Sequence, residues 1–449
     1  MENQNVKGTK DIFNKEAEMF EYVETVMKSI AATYGFKNMR PPLLEHSEVF
    51  SRAVGESSDV VRKEMYTFLD KGGRSLTLRP EFTAGIMRLI VQNKLYATED
   101  LPIKAYYHGP VFRYERPQLG RYRQFNQFGV ESVGVNSYFH DVEVILLGYI
   151  TLLNLGFEGL KLKINTLGDD ESRTNYKNAL KAFFEDKIAN MCEDCKQRYE
   201  INPLRILDCK VPADQEIVKS APKMRDYLST ESQIRFNLVL QELEQSGIEY
   251  EVDDTLVRGL DYYSETVFEF HFVSDKGVNY GAIGAGGHYD KLVKEMGGPS
   301  LEGVGFSYGI ERVVSVMQDN NLFEGILSDQ SLDAYIIPMD PLYNTNALDV
   351  ALALRANGYR VEVPYDGGKV ASLIKKANRK GARIAIFIGE EEVRSDSLSI
   401  KDLKFNKQEN IALGDLLTYV DEIFNEHECQ CKNEEDKGEQ CCCKQKDKE

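Results

Sequence analysis

The hydrophobic period of this chain changes along its length, which rules out a single uniform fold. Between residues 254 and 318 apolar side chains come in β-branched and aromatic runs, VFEFHFV and then the glycine-dense GAIGAGGHYD. That texture predicts antiparallel strands, with a helix opening near Gly309. After a polar connector near 319–331 the sequence becomes AYIIP, a helix, YRVEVPY, a helix and ARIAIFIG. Strand alternating with helix predicts a small α/β domain with a largely parallel sheet. Upstream, KEAEMFEYVETVMKSIAA at 15–32 carries apolar residues at helical spacing, and DVEVILLGYITLLNLG predicts a second helix stopped by a glycine. From about 175 to 245 the pattern is helical and charged, as expected of an inserted, mostly helical unit.

A chain of 449 residues exceeds one core of ordinary size. The expected division is 1–325, with the insertion, then 331–425, then a tail at 426–449. The tail has no aliphatic or aromatic residue and eight acidic against five basic side chains, so disorder is expected there. No apolar run approaches the ~20 residues that cross a bilayer, and the N-terminal MENQNVKGTKDIF lacks the features of an export signal. A cytoplasmic location and no membrane partner are expected. A net charge of −17 excludes indiscriminate binding to polyanions, so any nucleic-acid contact must be local. Eight cysteines form two clusters, Cys192, Cys195 and Cys209, and five more from Cys429 to Cys443. The central three are expected to be reduced structural thiols. A closed zinc site needs four ligands, and Asp194 or Asp208 are the neighbours in sequence that could complete one. No protein metal ligand is therefore assigned.

Against the acidic background, FRYERPQLGRYRQFNQFGVE at 112–131 places Arg113, Arg116, Arg121 and Arg123 within eleven residues. Taken alone this is a solvated strand and turn. Three further stretches change its meaning: LTLRPEFTAG at 76–85, LVRGLDYYSE at 256–265 and GFSYGIERV at 305–313. Together and in this order they resemble the histidyl-tRNA synthetases, a family of class II aminoacyl-tRNA synthetases, from KGTKDIF to about residue 420. YGFKNMRPPLLEHSEVF, with Pro42, resembles the first class II motif. The arginine-rich stretch resembles the second and GVGFSYGIERV the third. LVRGLDYYSETVFEF and GAGGHYDKLV resemble segments particular to the histidine family.

The resemblance implies an α+β fold: a catalytic domain on a mainly antiparallel sheet flanked by helices, a helical insertion, and a C-terminal α/β anticodon-binding domain. It implies ATP-dependent activation of L-histidine and its transfer to tRNA(His), Mg²⁺ accompanying ATP, and a homodimer. Carboxylate attack on a phosphorus needs charge neutralisation more than a base, and guanidiniums suit that task. By resemblance Arg113 and Arg258 are catalytic, and Arg113, Glu115 and Arg312 bind ATP. Glu81, Thr83, Gln127, Glu131, Arg258 and Tyr263 bind histidine, with Glu131 and Tyr263 on the imidazole. Arg116, Gln118, Arg121 and Arg123 are candidates for the acceptor end of tRNA. Gly284, Gly286 and Gly287 are expected to let backbone approach the substrate. SLIKKANRKGAR at 372–383 is the basic candidate for the anticodon end. Two positions depart from the family pattern: His288 replaces an arginine in GGHYD, and Leu373 a glutamine. The rival implied function is that of the synthetase-like regulatory subunit of ATP phosphoribosyltransferase, which generally lacks the anticodon domain.

Overall fold

The computed structural model describes residues 3–55, 58, 60–115, 122–327, 332–365 and 367–425. It divides into two compact units, Met1–Leu327 and Ser328–Glu449. Among the described residues no helix is long and apolar enough to cross a membrane.

The first unit is built on an eight-stranded sheet in the order Lys37–Asn38, Ile103–Phe112, Gln124–Val133, Gly303–Gly309, Asn279–Tyr289, Ser264–Val273, Leu160–Thr166, Tyr250–Val252. The inner strands pair antiparallel, and only the short strands at the two edges pair parallel. Side chains alternate across a strand, so each inner strand serves both faces of the sheet. Phe268, Phe270 and Phe272 enter one core with helices Lys15–Thr33, Tyr138–Asn154 and Ile310–Asp319. Val267, Tyr107 and Val133 enter another, beneath the helix Thr83–Gln92. In Gln124–Val133, Phe128 and Val130 take the first face, while Val133 takes the second together with Gln127 and Glu131. Both helices read from the sequence form: Ser137 caps Tyr138–Asn154 by accepting the N–H of Phe139 at 3.3 Å, and the chain leaves it through Gly156 at φ 86°.

The segment between Leu160–Thr166 and Ser264–Val273 carries helices Asp170–Phe184, Glu193–Ile201 and Pro212–Val218 around a small core of its own, including Tyr176, Leu180, Phe184, Leu204, Ile206 and Met224. Burying an aromatic or leucine side chain contributes about 1.5–3 kcal/mol, enough for this cluster to hold three short helices together. The helix Thr230–Gln245, expected inside the insertion, instead sends Phe236, Val239 and Leu243 into the main core. Entry to and exit from the excursion are joined through two helix caps. Asp169 caps Asp170–Phe184 and accepts from the Ser229 hydroxyl at 2.7 Å, while Ser229 caps Thr230–Gln245 and donates its backbone N–H to Ser172 Oγ at 2.7 Å.

The second unit has a five-stranded sheet in the order Val361–Glu362, Ala334–Pro338, Ile384–Ile388, Ser397–Asp402, Lys407–Ala412. The first three strands are parallel and the last two antiparallel, so the sheet is mixed where the sequence pattern predicted a largely parallel one. The links explain it. A parallel return needs a crossover of a dozen residues or more. Between Ile388 and Ser397 lies only the short helix Glu390–Ser395 with Asp396 at φ 50°, and Asp402 then sets a tight turn by accepting the N–H groups of Lys404 and Phe405.

Candidate active site

The second face of the large sheet carries a cavity of about 290 Å³ whose wall includes Glu81, Thr83, Arg113, Glu115, Gln127, Glu131, Arg258 and Tyr263. Every residue expected at the histidine-binding end is therefore in one place, although Glu81 and Tyr263 are 182 positions apart in sequence. Gln127 and Glu131 reach it because they lie four apart on one strand, on the same face. Thr83 opens the helix Thr83–Gln92, and Glu81 precedes it and accepts the N–H groups of Thr83 at 2.6 Å and Ala84 at 2.9 Å. That arrangement satisfies two donors that a helix start leaves open.

Glu131 is 1% exposed. Its Oε1 accepts from the hydroxyls of Thr83 at 2.6 Å and Tyr107 at 3.1 Å, and its Oε2 from Tyr289 at 2.8 Å. Burial outweighs these hydrogen bonds and pushes its carboxyl up to about 7. Burial likewise raises Glu81. Gly305 lies opposite Glu131, and a Cβ there would come within 2.0 Å of Glu131 Oε2. Only glycine leaves this carboxylate its place. The expectation for Gly284, Gly286 and Gly287 is corrected: added Cβ atoms would meet Tyr308, the carbonyl of Gly305 and the ring of Tyr263. These glycines make room for neighbouring strands and rings, and none of them lines the cavity.

Arg258 donates from Nη1 to Glu269 at 2.8 Å, and its guanidinium carbon lies 5.6 Å from the Tyr263 ring centre. Its buried Nε has no partner among the described residues. Glu269 also pairs with His271 Nε2 at 2.8 Å. Although burial opposes ionisation, His271 and Arg258 hold its carboxyl below the usual range. Arg113 donates from Nε to the Pro80 carbonyl at 2.8 Å. Arg113 and Glu115 also line a second cavity of about 240 Å³ with Tyr122, Phe125, Glu311 and Arg312. One guanidinium is thus shared by the two cavities, with Arg258 on one side and Arg312 on the other. Glu311 accepts the backbone N–H and side-chain amide of Asn126, and burial raises its carboxyl to about 7.

Arg123 lies beside the Tyr114 ring at 4.0 Å, with Nε 3.4 Å from the Glu115 carbonyl. Arg116, Gln118 and Arg121 lie outside the described residues, as does the 426–449 tail. His288 is 2% exposed and does not line the cavity; its Nδ1 meets Asp141 at 2.9 Å and its Nε2 meets Glu302 at 3.1 Å. Burial disfavours its charge, but the two carboxylates outweigh that and raise it to about 9. The ring is therefore protonated near neutral pH, and the departure from arginine preserves a cation. Leu373 is 1% exposed in an apolar cluster with Tyr335, Ile337, Ala377 and Phe387, so its side chain serves packing. Of the basic residues at 372–383, Lys380 pairs with Glu362 and Arg383 with Asp402, whereas Lys375, Lys376 and Arg379 are exposed.

Sequence reasoning did not single out Tyr107, Tyr262, Glu269, Tyr289 or Glu311, of which Tyr107 and Tyr262 stand on the cavity wall. Glu269, Tyr289 and Glu311 lie within the quoted motifs, but nothing in one sequence reveals which polar residue props another.

Residues 8–313 match the family model described as Histidyl-tRNA synthetase, and residues 333–423 match that of an anticodon binding domain. Fold and matches together define a class II aminoacyl-tRNA ligase. Within that class, the chain belongs to the histidyl-tRNA synthetase family. It is 44% identical over 417 residues to the histidine–tRNA ligase of Bacillus licheniformis, covering 92% of this chain and 97% of that protein. With the enzyme of Lactiplantibacillus plantarum it shares 43% over 427 residues, 95% of this chain and 100% of the other. A crystal structure of histidyl-tRNA synthetase from S. aureus is similar at a TM-score of 0.77 and 34% identity, covering 93% of this chain and 99% of that one. A structure from Bacillus halodurans described as an ATP phosphoribosyltransferase regulatory subunit/histidyl-tRNA synthetase is more distant, with a TM-score of 0.59 and 20% identity over 84% of this chain and 97% of that one; it shares the fold.

Proposed function

We propose that this chain activates L-histidine with ATP and transfers the histidyl group to tRNA(His), using the two joined cavities for the first step. The histidine carboxylate attacks the α-phosphorus of ATP, the bond to the β,γ-phosphates breaks, and pyrophosphate leaves. The nucleophile is already ionised, so the protein's work is positioning and charge stabilisation. Arg113 and Arg258 approach the α-phosphate from two sides, Glu115 contacts ATP, and Arg312 holds the far phosphates. Glu131 accepts an imidazole N–H and the Tyr263 hydroxyl addresses the other ring nitrogen. Glu81, Thr83 and Gln127 orient the amino end. A cavity that pairs both ring nitrogens rejects side chains lacking them, because its own polar groups would stay unpaired.

Bound with ATP, Mg²⁺ would supply charge neutralisation to the phosphates, and it prefers oxygen ligands. Glu115 and Glu311, the carboxylates beside Arg312, fit that donor requirement and would hold it. In the second step the terminal ribose hydroxyl of tRNA attacks the acyl carbon and AMP leaves. Arg116, Gln118, Arg121 and Arg123 would meet the acceptor end, and Lys375, Lys376 and Arg379 the far end of the tRNA. The reading takes the enzyme to be a homodimer, on the likeness of its Pro42 segment to the first class II motif, and to act in the cytoplasm, where its substrate tRNA is.

The observation that carries this reading is the single cavity holding Arg113, Arg258, Glu131 and Tyr263. ATP–pyrophosphate exchange with and without histidine tests it. Exchange that depends on histidine is expected, and a folded sample with no exchange would return the regulatory reading to favour.

A further inference from the structure

Three cysteines of the insertion meet a carboxylate that their sequence neighbours did not suggest. Cys192 caps the helix Glu193–Ile201, and Cys195 lies in its first turn. Cys209 follows the tight helical turn Pro203–Asp208, and Asp214 lies in the first turn of Pro212–Val218. Their three sulfurs and one carboxylate oxygen all lie within 4.8 Å of one another. Asp194 and Asp208, the fourth ligands considered from sequence, instead pair with Lys63 and Lys210.

We propose that Cys192, Cys195, Cys209 and Asp214 form a structural Zn²⁺ site. Four observations point to it. The Cys192 and Cys209 sulfurs are 3.8 Å apart. That is nearly twice a disulfide bond of about 2.05 Å, and it is the edge of a tetrahedron built on zinc–sulfur bonds of about 2.3 Å. Asp214 Oδ2 lies 3.2 Å from Cys209 Sγ, as two ligands of one ion would. Two sulfurs already accept backbone N–H groups, Cys192 from Cys195 and Cys209 from Val211, both at 3.4 Å. Such donors orient a thiolate and stabilise its charge. Asp214 is 2% exposed, and among the described residues no lysine, arginine or histidine pairs with it. A buried carboxylate without a counter-charge is costly, and a dication among thiolates supplies one. Three sulfurs exclude the oxygen-seeking Ca²⁺ and Mg²⁺, and a carboxylate oxygen as the fourth member of a closed set suits zinc better than Cu(I) or an iron–sulfur centre, which favour all-sulfur ligation.

The ligands flank Pro203–Asp208, the segment that carries Arg205 to the main cavity, where its Nη2 donates to the Gly259 carbonyl at 3.2 Å. Zinc at this point fixes a platform against the turn that presents Arg258. The site stands on its own geometry and does not depend on the catalytic reading.

The test uses the full chain with the five tail cysteines replaced (C429S, C431S, C441S, C442S and C443S), so that any zinc belongs to the insertion. Purified without chelator under reducing conditions, it is expected to contain about one zinc per chain by emission spectrometry. Cobalt exchange should give the absorption of a tetrahedral, sulfur-bound ion. Replacing the half-buried ligand, C192A, or the carboxylate, D214N, should lower zinc affinity by more than roughly 100-fold. The cobalt spectrum of the parent needs no variant, so a misfolded variant does not spoil the test. A parent chain that holds no zinc and takes up none on addition overturns the proposal, as does undiminished zinc binding in both folded variants.

Discussion

Glu131→Gln separates the histidine-binding role of this residue from its place in the core. The carboxyl rises from 4.5 to about 7 because it is buried. A carboxyl raised on folding costs nothing below its unfolded value and the full amount above its folded one. Holding Glu131 ionised at pH 8 therefore costs the native state on the order of 3 kcal/mol. Glutamine removes that cost but turns an amide N–H₂ toward hydroxyls that now donate to Oε1 or Oε2, a loss of about 1–3 kcal/mol. The two nearly cancel, so the variant should melt close to the native protein at pH 8. Its melting temperature relative to native should rise as pH goes from 5 to 8. Binding behaves differently: losing a charge-assisted hydrogen bond to the imidazole, about 1.5–3 kcal/mol, predicts a KM for histidine higher by about 10- to 100-fold in pyrophosphate exchange. The KM for ATP should change little. A histidine KM within threefold of native, or a loss of affinity that only tracks unfolding, would refute the assignment.

Arg258→Ala should lower histidine-dependent exchange by roughly 100-fold or more while moving the melting temperature little, since Glu269 keeps His271 as a partner; parallel loss of fold and activity would count against catalysis by Arg258. His288 is raised from 6.5 to about 9, so its stabilisation is complete below pH 6.5 and is lost as pH rises through 9. The native melting temperature should accordingly fall between pH 7 and 9.5, and H288Q should flatten that decline; an unchanged slope would show that Asp141 and Glu302 do not hold a charged ring. Replacing Lys375, Lys376 and Arg379 by alanine should weaken tRNA charging and reduce its salt dependence while leaving exchange intact. A change confined to exchange would remove the α/β unit from tRNA binding.

Much of this was legible in the sequence. The β-branched and aromatic run VFEFHFV predicts a sheet strand, and the resemblance implies one site for Arg113, Arg258 and Glu131, which line one cavity. Less legible were features decided by through-space partners. The antiparallel edge of the second sheet depends on the length of the link between Ile388 and Ser397, which periodicity does not weigh. The helix Thr230–Gln245 carries a charged face like its predecessors, so only packing assigns Phe236 to the main core. Asp214 lies 19 residues beyond Cys195, outside any short spacing rule, and came to the thiols through the turn of Pro203–Asp208.

The interlocked caps of Asp169 and Ser229 bring the outgoing and returning chain to one point. Whatever lies between them hangs from a cinched neck, beside which strand Leu160–Thr166 holds its antiparallel register with Ser264–Val273. Such a neck lets the excursion close around its own core while its segment Pro203–Asp208 still returns Arg205 to the wall of the main cavity.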